Sequence, residues 1–215
     1  MYNLPYHREN DAQAVLDLIA HYPFAFLTGS TLSGEQIATQ VPVFVEEKEG
    51  RQVLRGHIMK HTDHHRAFLE NPNALVVVTG RSTYVSGTWY SDPHSPSTWN
   101  YMSVHIKGKI KFVEGDELVE ILRKTTLHFE GNNPESTTIY DNLPTEFIQR
   151  VTPMIVGFEI TIEKMRNVFK LSQDRDHESY LNIIAKLQEQ DIDGQEIAEE
   201  MKKRIGELFP DKAVF

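Results

Sequence analysis

Apolar side chains recur along this chain with two periods, and the switches between them mark out its elements. Val15, Leu18, Ile19 and Tyr22 follow the i, i+3, i+4, i+7 spacing of an amphipathic helix, with Asn10 or Asp11 as N-cap and Pro23 as stop. Strand-like segments follow at 24–28, at 41–45 where Val41, Val43 and Val45 alternate, at 53–58 and at 75–79. A short helix fits 63–71, closed by Pro72. The clearest strand, 104–112, puts Val104, Ile106, Ile110 and Phe112 on one face and His105, Lys107, Lys109 and Lys111 on the other. Gly108 interrupts the apolar row, which points to a bend or a close backbone approach.

A helix from Asp116 to about His128, capped by Asp116, would turn Leu118, Ile121, Leu122 and Thr125 inward. Residues 131–138 read as a polar surface loop, and Phe158, Ile160 and Ile162 alternate with Glu159, Thr161 and Glu163 in a late strand. From Ser179 onward the pattern is helical and charged, with Ile197, Met201, Ile205 and Leu208 on one apolar seam. The expectation is an α+β, β-rich barrel domain over 1–175. A helical extension over 176–215 would pack on the barrel or on a partner subunit.

Composition narrows the functions available. Twenty-two Lys and Arg against 31 Asp and Glu give a net charge of −9, which disfavours a broad basic face for nucleic acid or anionic membrane. The absence of cysteine excludes disulfides, thiolate catalysis, iron–sulfur clusters and Cys-based zinc sites. The longest apolar run, 74–78, is too short to cross a bilayer, and the first residues lack a signal-peptide core. A cytoplasmic protein with no membrane partner is expected.

Three windows carry candidate chemistry. The first, 84–101, holds both tryptophans, Trp89 and Trp99, with Tyr84, Tyr90 and Tyr101 among serines, prolines and Asn100. It reads as an ordered loop joining two strands. Either its rings pin that loop to the body, or they cover a planar ligand whose edge meets Ser86, Thr98 and Asn100. The second window runs from Gly56 to Arg66. Lys60, Thr62, His64 and Arg66 beside a helix start would form a phosphate cradle. The four histidines His57, His61, His64 and His65 also admit a metal reading, but Asp63 is the only nearby carboxylate, and a solvated or phosphate-facing cluster is preferred. The third window, Lys170, Ser172, Gln173 and Arg175, would suit a polar pocket or an exposed strand end equally. His105 and His128 are acid/base candidates, with a surface or helix-end role as the plainer reading. No Walker loop, GxGxxG or Ser-His-Asp order is present, so no catalytic residue is assigned.

Several strings recur in one known family. They are Met1-Tyr2 with Pro5 and His7, Gly56-His57 with Lys60, Tyr84-Val85-Ser86 before Trp89-Tyr90, and Thr98-Trp99-Asn100-Tyr101 with Val104-His105 and Gly108. Gly157-Phe158-Glu159-Ile160 and Lys170-Leu171-Ser172-Gln173 with Arg175 complete the set. In these the chain resembles the PaiB-type FMN-binding negative transcriptional regulators of the FMN-binding split-barrel superfamily, from its start to about residue 188. It departs from the family strings at Ser97 (usually Pro), across 80–83 and 86–88, at Asp174 and His61 (usually Asn), and at Lys60 (usually Arg). Lysine keeps the positive charge there but loses bidentate contact with phosphate.

The resemblance implies a six-stranded antiparallel split β-barrel, a homodimer, and FMN near the subunit interface. It implies Lys60, Thr62 and His64, with His57 beside them, at the flavin phosphate. Tyr84, Ser86, Trp89, Thr98, Trp99 and Asn100 would border the isoalloxazine, and Lys170, Ser172 and Gln173 would reach the flavin edge from the same or the other subunit. A regulatory role follows from the family. The alternative is an FMN-dependent oxidoreductase related to pyridoxamine-phosphate-oxidase-like flavoproteins, with His105 or His128 moving a proton. A haem-binding or cofactor-free barrel dimer is a third class. With no helix-turn-helix and no basic stripe in the sequence, direct DNA binding is doubtful.

Overall fold

The computed structural model describes residues 1, 4–92 and 94–211. Tyr2 of the opening string and Pro93 of the aromatic window lie outside the described residues. Along the chain run α1 (Ala12–His21), β1 (Phe24–Ser30), β2 (Gln36–Pro42), β3 (Phe44–Lys48), β4 (Arg51–Met59), α2 (Asp63–Glu70) and β5 (Asn73–Val85). Then come β6 (Thr98–Val113), α3 (Asp116–Phe129), α4 (Thr145–Val151), β7 (Ile155–Lys170), α5 (His177–Gln188), α6 (Ile192–Lys202) and α7 (Ile205–Leu208). The first helix begins as expected: Asp11 precedes it and accepts the Gln13 N–H at 2.8 Å.

The strands form one antiparallel sheet in the order β2-β1-β5-β6-β7-β4-β3. Seven strands in an open sheet therefore replace the six-stranded barrel expected. The extra strand arises at Val43. Val41, Val43 and Val45 do alternate, but β2 pairs with β1 whereas β3 pairs with β4. Pro42 has no N–H to carry a ladder onward, and the buried Val43 donates its N–H to the Pro23 carbonyl at 2.8 Å. Side-chain alternation reports faces, not backbone partners, so one pattern spans two strands.

The chain divides into two compact units: one of Leu16–Val78 and His105–Arg166, the other of Met1–Val15, Thr79–Val104 and Asn167–Phe215. The first is built on Leu27, Leu54, Val76, Ile106, Phe158 and Ile160, all fully enclosed. Gly108 is the close approach expected of it: a Cβ there would lie 2.1 Å from the Thr161 carbonyl oxygen. On α3, Leu118, Ile121, Leu122 and Thr125 are buried as expected, but the N-cap is Gly115 at φ +60°, and Asp116 is the first helical residue. Its carboxylate still sits at the positive end of the helix. Glu159, 4% exposed, is satisfied by Lys111 at 2.8 Å and Lys48 at 2.9 Å, while Arg55 bonds Glu46 at 3.3 Å. A buried carboxylate needs this company, because removing its partners would leave a desolvated charge. The 131–138 segment holds no helix or strand, as expected.

In the second unit the core is Tyr180, Ile183, Leu187, Ile197 and Met201, and the Tyr180 hydroxyl donates to the Met201 carbonyl at 2.9 Å. The tail is three helices. Asp191 caps α6 by accepting the Gly194 N–H at 3.2 Å, so Ile197 and Met201 lie on α6 while Ile205 and Leu208 lie on α7. The aromatic window is also shorter as a loop than expected. Tyr84 belongs to β5, and Thr98, Trp99, Asn100 and Tyr101 open β6. Aromatic and β-branched residues favour the strand, so the window's described residues outside β5 and β6 are the Ser-rich ones after Val85 and before Thr98, with one helical turn at Gly87–Trp89. Among the described residues no helix is long and apolar enough to cross a membrane.

Candidate functional site

The predicted residues fall into two groups, one in each unit. His57, Lys60, Thr62 and His64 lie where β4 ends and α2 begins. The Lys60 N–H donates to the Met154 carbonyl at 2.8 Å, fixing the chain as it leaves the strand. His61 follows in the left-handed region at φ +62°, a conformation disfavoured for a residue with a Cβ. The turn it makes lets Thr62 cap α2: the hydroxyl accepts the His65 N–H at 3.3 Å and donates to the Met59 carbonyl at 3.0 Å. His64 Nε2 lies 3.0 Å from that hydroxyl and its Nδ1 2.9 Å from Asp63. Arg66 reaches back to the His61 carbonyl at 2.7 Å.

Lys60 pairs with Glu114, a residue the sequence offered no reason to single out. Its only signal is a carboxylate directly before the Gly115 that opens α3. His57 stands on β4 opposite Gly157, with Nδ1 enclosed and unbonded, and burial lowers its pKa. Among the described residues no three or more His, Cys, Asp or Glu side chains are grouped to hold a metal ion.

The second group gathers at the start of β6 and the end of β7. The Lys170 ammonium donates to the Thr98 hydroxyl and, at 3.0 Å, to the Trp99 carbonyl, and burial lowers its pKa. Ser172, at φ +61°, donates to Asn100 Oδ1 at 3.0 Å, while Asn100 Nδ2 contacts Met201 Sδ at 3.5 Å. Asn100 is wholly enclosed. Gln173 accepts the Leu171 N–H at 2.7 Å, donates to the Phe169 carbonyl and lies 3.2 Å from His7 Nδ1. Ser86 caps the turn Gly87–Trp89, whose last carbonyl accepts from Asn182 at 2.7 Å. Tyr84 and Trp99, by contrast, are 47% and 55% exposed, with ring centroids 6.1 Å apart at 70°. Arg175 stacks 4.2 Å above the Tyr90 ring, a contact for which spacing along the chain gives no hint. The other two acid/base candidates are placed by packing: His105 is half-buried, and His128 lies edge-on to Phe44.

The first group gathers polar and cationic side chains at a helix start, and the second presents flat aromatic surface. Residues 1–164 match the family described as "Putative FMN-binding domain". The chain belongs to that family. This FMN-binding-domain protein is also 30% identical, over 206 residues, to Protease synthase and sporulation protein PAI 2 of Bacillus subtilis, covering 95% of this chain and 98% of that one. Its fold is shared with the conserved hypothetical protein Rv2991 from Mycobacterium tuberculosis (TM-score 0.58, 11% identity, 82% of this chain and 95% of that one). It is shared likewise with the FAD and heme binding protein from Mycobacterium smegmatis (TM-score 0.54, 15% identity, 76% and 73%). At such identities these structures establish the fold alone.

The residues present fit the cofactor for which the family is described. A phosphate calls for cations at a helix start, and Lys60 and His64 lie at the start of α2, where Lys60 pairs with Glu114 and His64 with Asp63. A flavin ring calls for uncovered aromatic or apolar surface, and Tyr84 and Trp99 supply that.

Proposed function

We propose that the chain is a homodimeric FMN-binding protein of the split-barrel class with a regulatory role, in which FMN lies near the subunit interface. The observation that carries the flavin reading is the donor set at the start of α2, in a chain of the FMN-binding family. In this reading Lys60 and Thr62 hold the flavin phosphate, with His64 beside them. Tyr84 and Trp99 are exposed aromatic surface of the kind a flavin ring packs on. Lys170 bonds Thr98 and the Trp99 carbonyl, and so sets the pitch of that aromatic surface. Asn100, Ser172 and Gln173 have their polar atoms on one another, on backbone or on His7 and Met201, and act as braces behind it. FMN, when bound, supplies hydride and one-electron chemistry that no side chain of this cysteine-free protein offers.

The exposed Tyr84–Trp99 pair also supports the dimer, since flat aromatic surface of this kind is covered by ligand or by a second copy. Direct readout of DNA is not part of the proposal. The net charge is −9, and two of the three β6 lysines are engaged within their own unit, Lys109 with Asn73 and Lys111 with Glu159.

Comparing FMN with riboflavin tests the phosphate assignment. Flavin fluorescence titrations should show the wild-type chain preferring FMN, and Lys60→Gln should erase most of that preference. A charge-assisted contact of this kind accounts for about ten- to hundredfold in affinity. Equal affinity for the two flavins in the wild-type protein would sink the assignment.

A further inference from the structure

A groove of about 410 Å³ lies in the unit of Leu16–Val78 and His105–Arg166, between the start of α3, helix α4 and the first residue of β7. This is enough room for a small organic molecule. Its apolar walls are Leu118, Ile148 and Ile155, and its polar groups include Lys60, Glu114 and Gln149. The two ionic groups are unequally held. The Lys60 side chain is 22% exposed and its backbone is fixed by Met154, whereas the Glu114 side chain is 65% exposed. A surface pair of this sort contributes little, so the carboxylate leaves readily while the ammonium stays. Helix α4 has no buried residue, and Ile148 spends its apolar surface on this groove.

We propose that the groove is a binding site for a small apolar monocarboxylate. The ligand's carboxylate takes the place of Glu114 on Lys60, and its hydrocarbon or aromatic body lies on Leu118, Ile148 and Ile155. Gln149 is left for a polar substituent. Charge complementarity selects an anion, and the apolar walls select a body that inorganic anions lack. The site goes beyond the flavin reading and shares only Lys60 with it, so groove ligand and flavin phosphate compete for one ammonium.

The probe is 3-phenylpropionate, titrated into the full chain by calorimetry and followed by ligand-detected magnetic resonance. Its uncharged amide and acetate are the controls. The acid is expected to bind about tenfold or more tightly than either control, since one lacks the charge and the other the body. Glu114→Gln should tighten the acid a few-fold by removing the competing carboxylate. Ile148→Glu, on a surface helix, should abolish acid binding while leaving the helical circular dichroism unchanged. The FMN arm keeps the two readings apart: the acid can bind in the groove of the wild-type chain whether or not Lys60→Gln alters the preference for FMN over riboflavin. Equal binding of acid and amide, no gain in Glu114→Gln, or indifference to Ile148→Glu would each overturn the proposal.

Discussion

Ser172 carries two opposed energies at one position. Its φ of +61° costs a residue with a Cβ about 1 kcal/mol that glycine would not bear, yet its hydroxyl is the donor to the enclosed Asn100 Oδ1. Losing a donor to a buried acceptor costs about 1–3 kcal/mol, so the hydrogen bond outweighs the backbone strain. Ser172→Gly is therefore expected to destabilise the protein by about 1 kcal/mol. Ser172→Ala, which keeps the strain and loses the bond, should cost about 2 kcal/mol. Urea unfolding of both variants checks the order. An alanine variant as stable as the glycine variant would show that the positive φ carries no strain here, and two variants as stable as wild type would show that Asn100 finds another donor. The same substitutions bear on function, because Asn100 is the neighbour of Trp99 on β6, and a loosened Asn100 would leave the exposed ring less firmly set.

At the scale of the element, Asp176 joins helix α5 to the aromatic window. It caps α5, accepting the Ser179 N–H at 3.0 Å and the Ser179 hydroxyl at 2.6 Å, and it also accepts the Ser91 hydroxyl at 2.9 Å. These bonds, those of Ser179 first, hold its carboxyl down at about 2. Asp176→Ala should cost about 1 kcal/mol, the usual worth of an N-cap. Because the folded pKa is depressed, the cap's contribution is complete above about 3.8 and is lost as pH falls toward about 2. Thermal melts at pH 3 and pH 6 should show the variant and wild type converging at the lower pH. An equal gap at both would mean that the carboxylate charge is not what the cap uses.

Caps were readable only in part: Asp116, expected to cap α3, is its first helical residue behind Gly115. Asp11 before α1 and the run into α2 were legible because local hydrogen bonding decides them. The tail was legible as apolar seam but not as three helices, since the break depends on Asp191 turning back onto Gly194. The Val41–Val45 alternation hid a change of backbone partner, and α4 was invisible because a helix that buries nothing leaves no periodic stripe. Residue types and order marked out both groups as candidates. That Asn100 faces Ser172, and Gln173 faces His7, depends on contacts between residues more than seventy positions apart.

Across the whole molecule the histidines set an acid limit. His7, His57, His65 and His105 all have pKa values lowered from 6.5, with burial the leading cause at each. At His65 the neighbouring His61 and Lys60 add to it. A histidine held neutral by the fold binds its proton more readily in the unfolded chain, so the unfolded state takes up protons first as pH falls below about 6.5. Stability is thus complete above that pH and declines through the window down to each folded pKa. Each such histidine contributes a slope of up to about 1.4 kcal/mol per pH unit. Urea midpoints measured at pH 7.5, 6.5 and 5.5 should fall, with most of the loss between the last two. His57→Gln singles out the residue whose Nδ1 is enclosed without a partner, because glutamine keeps a polar atom near the Nε2 position and cannot titrate. That variant should show a shallower decline than wild type. A decline of unchanged steepness would assign the acid sensitivity to the other three histidines, and a flat or rising profile in the wild-type protein would contradict the buried neutral state of all four.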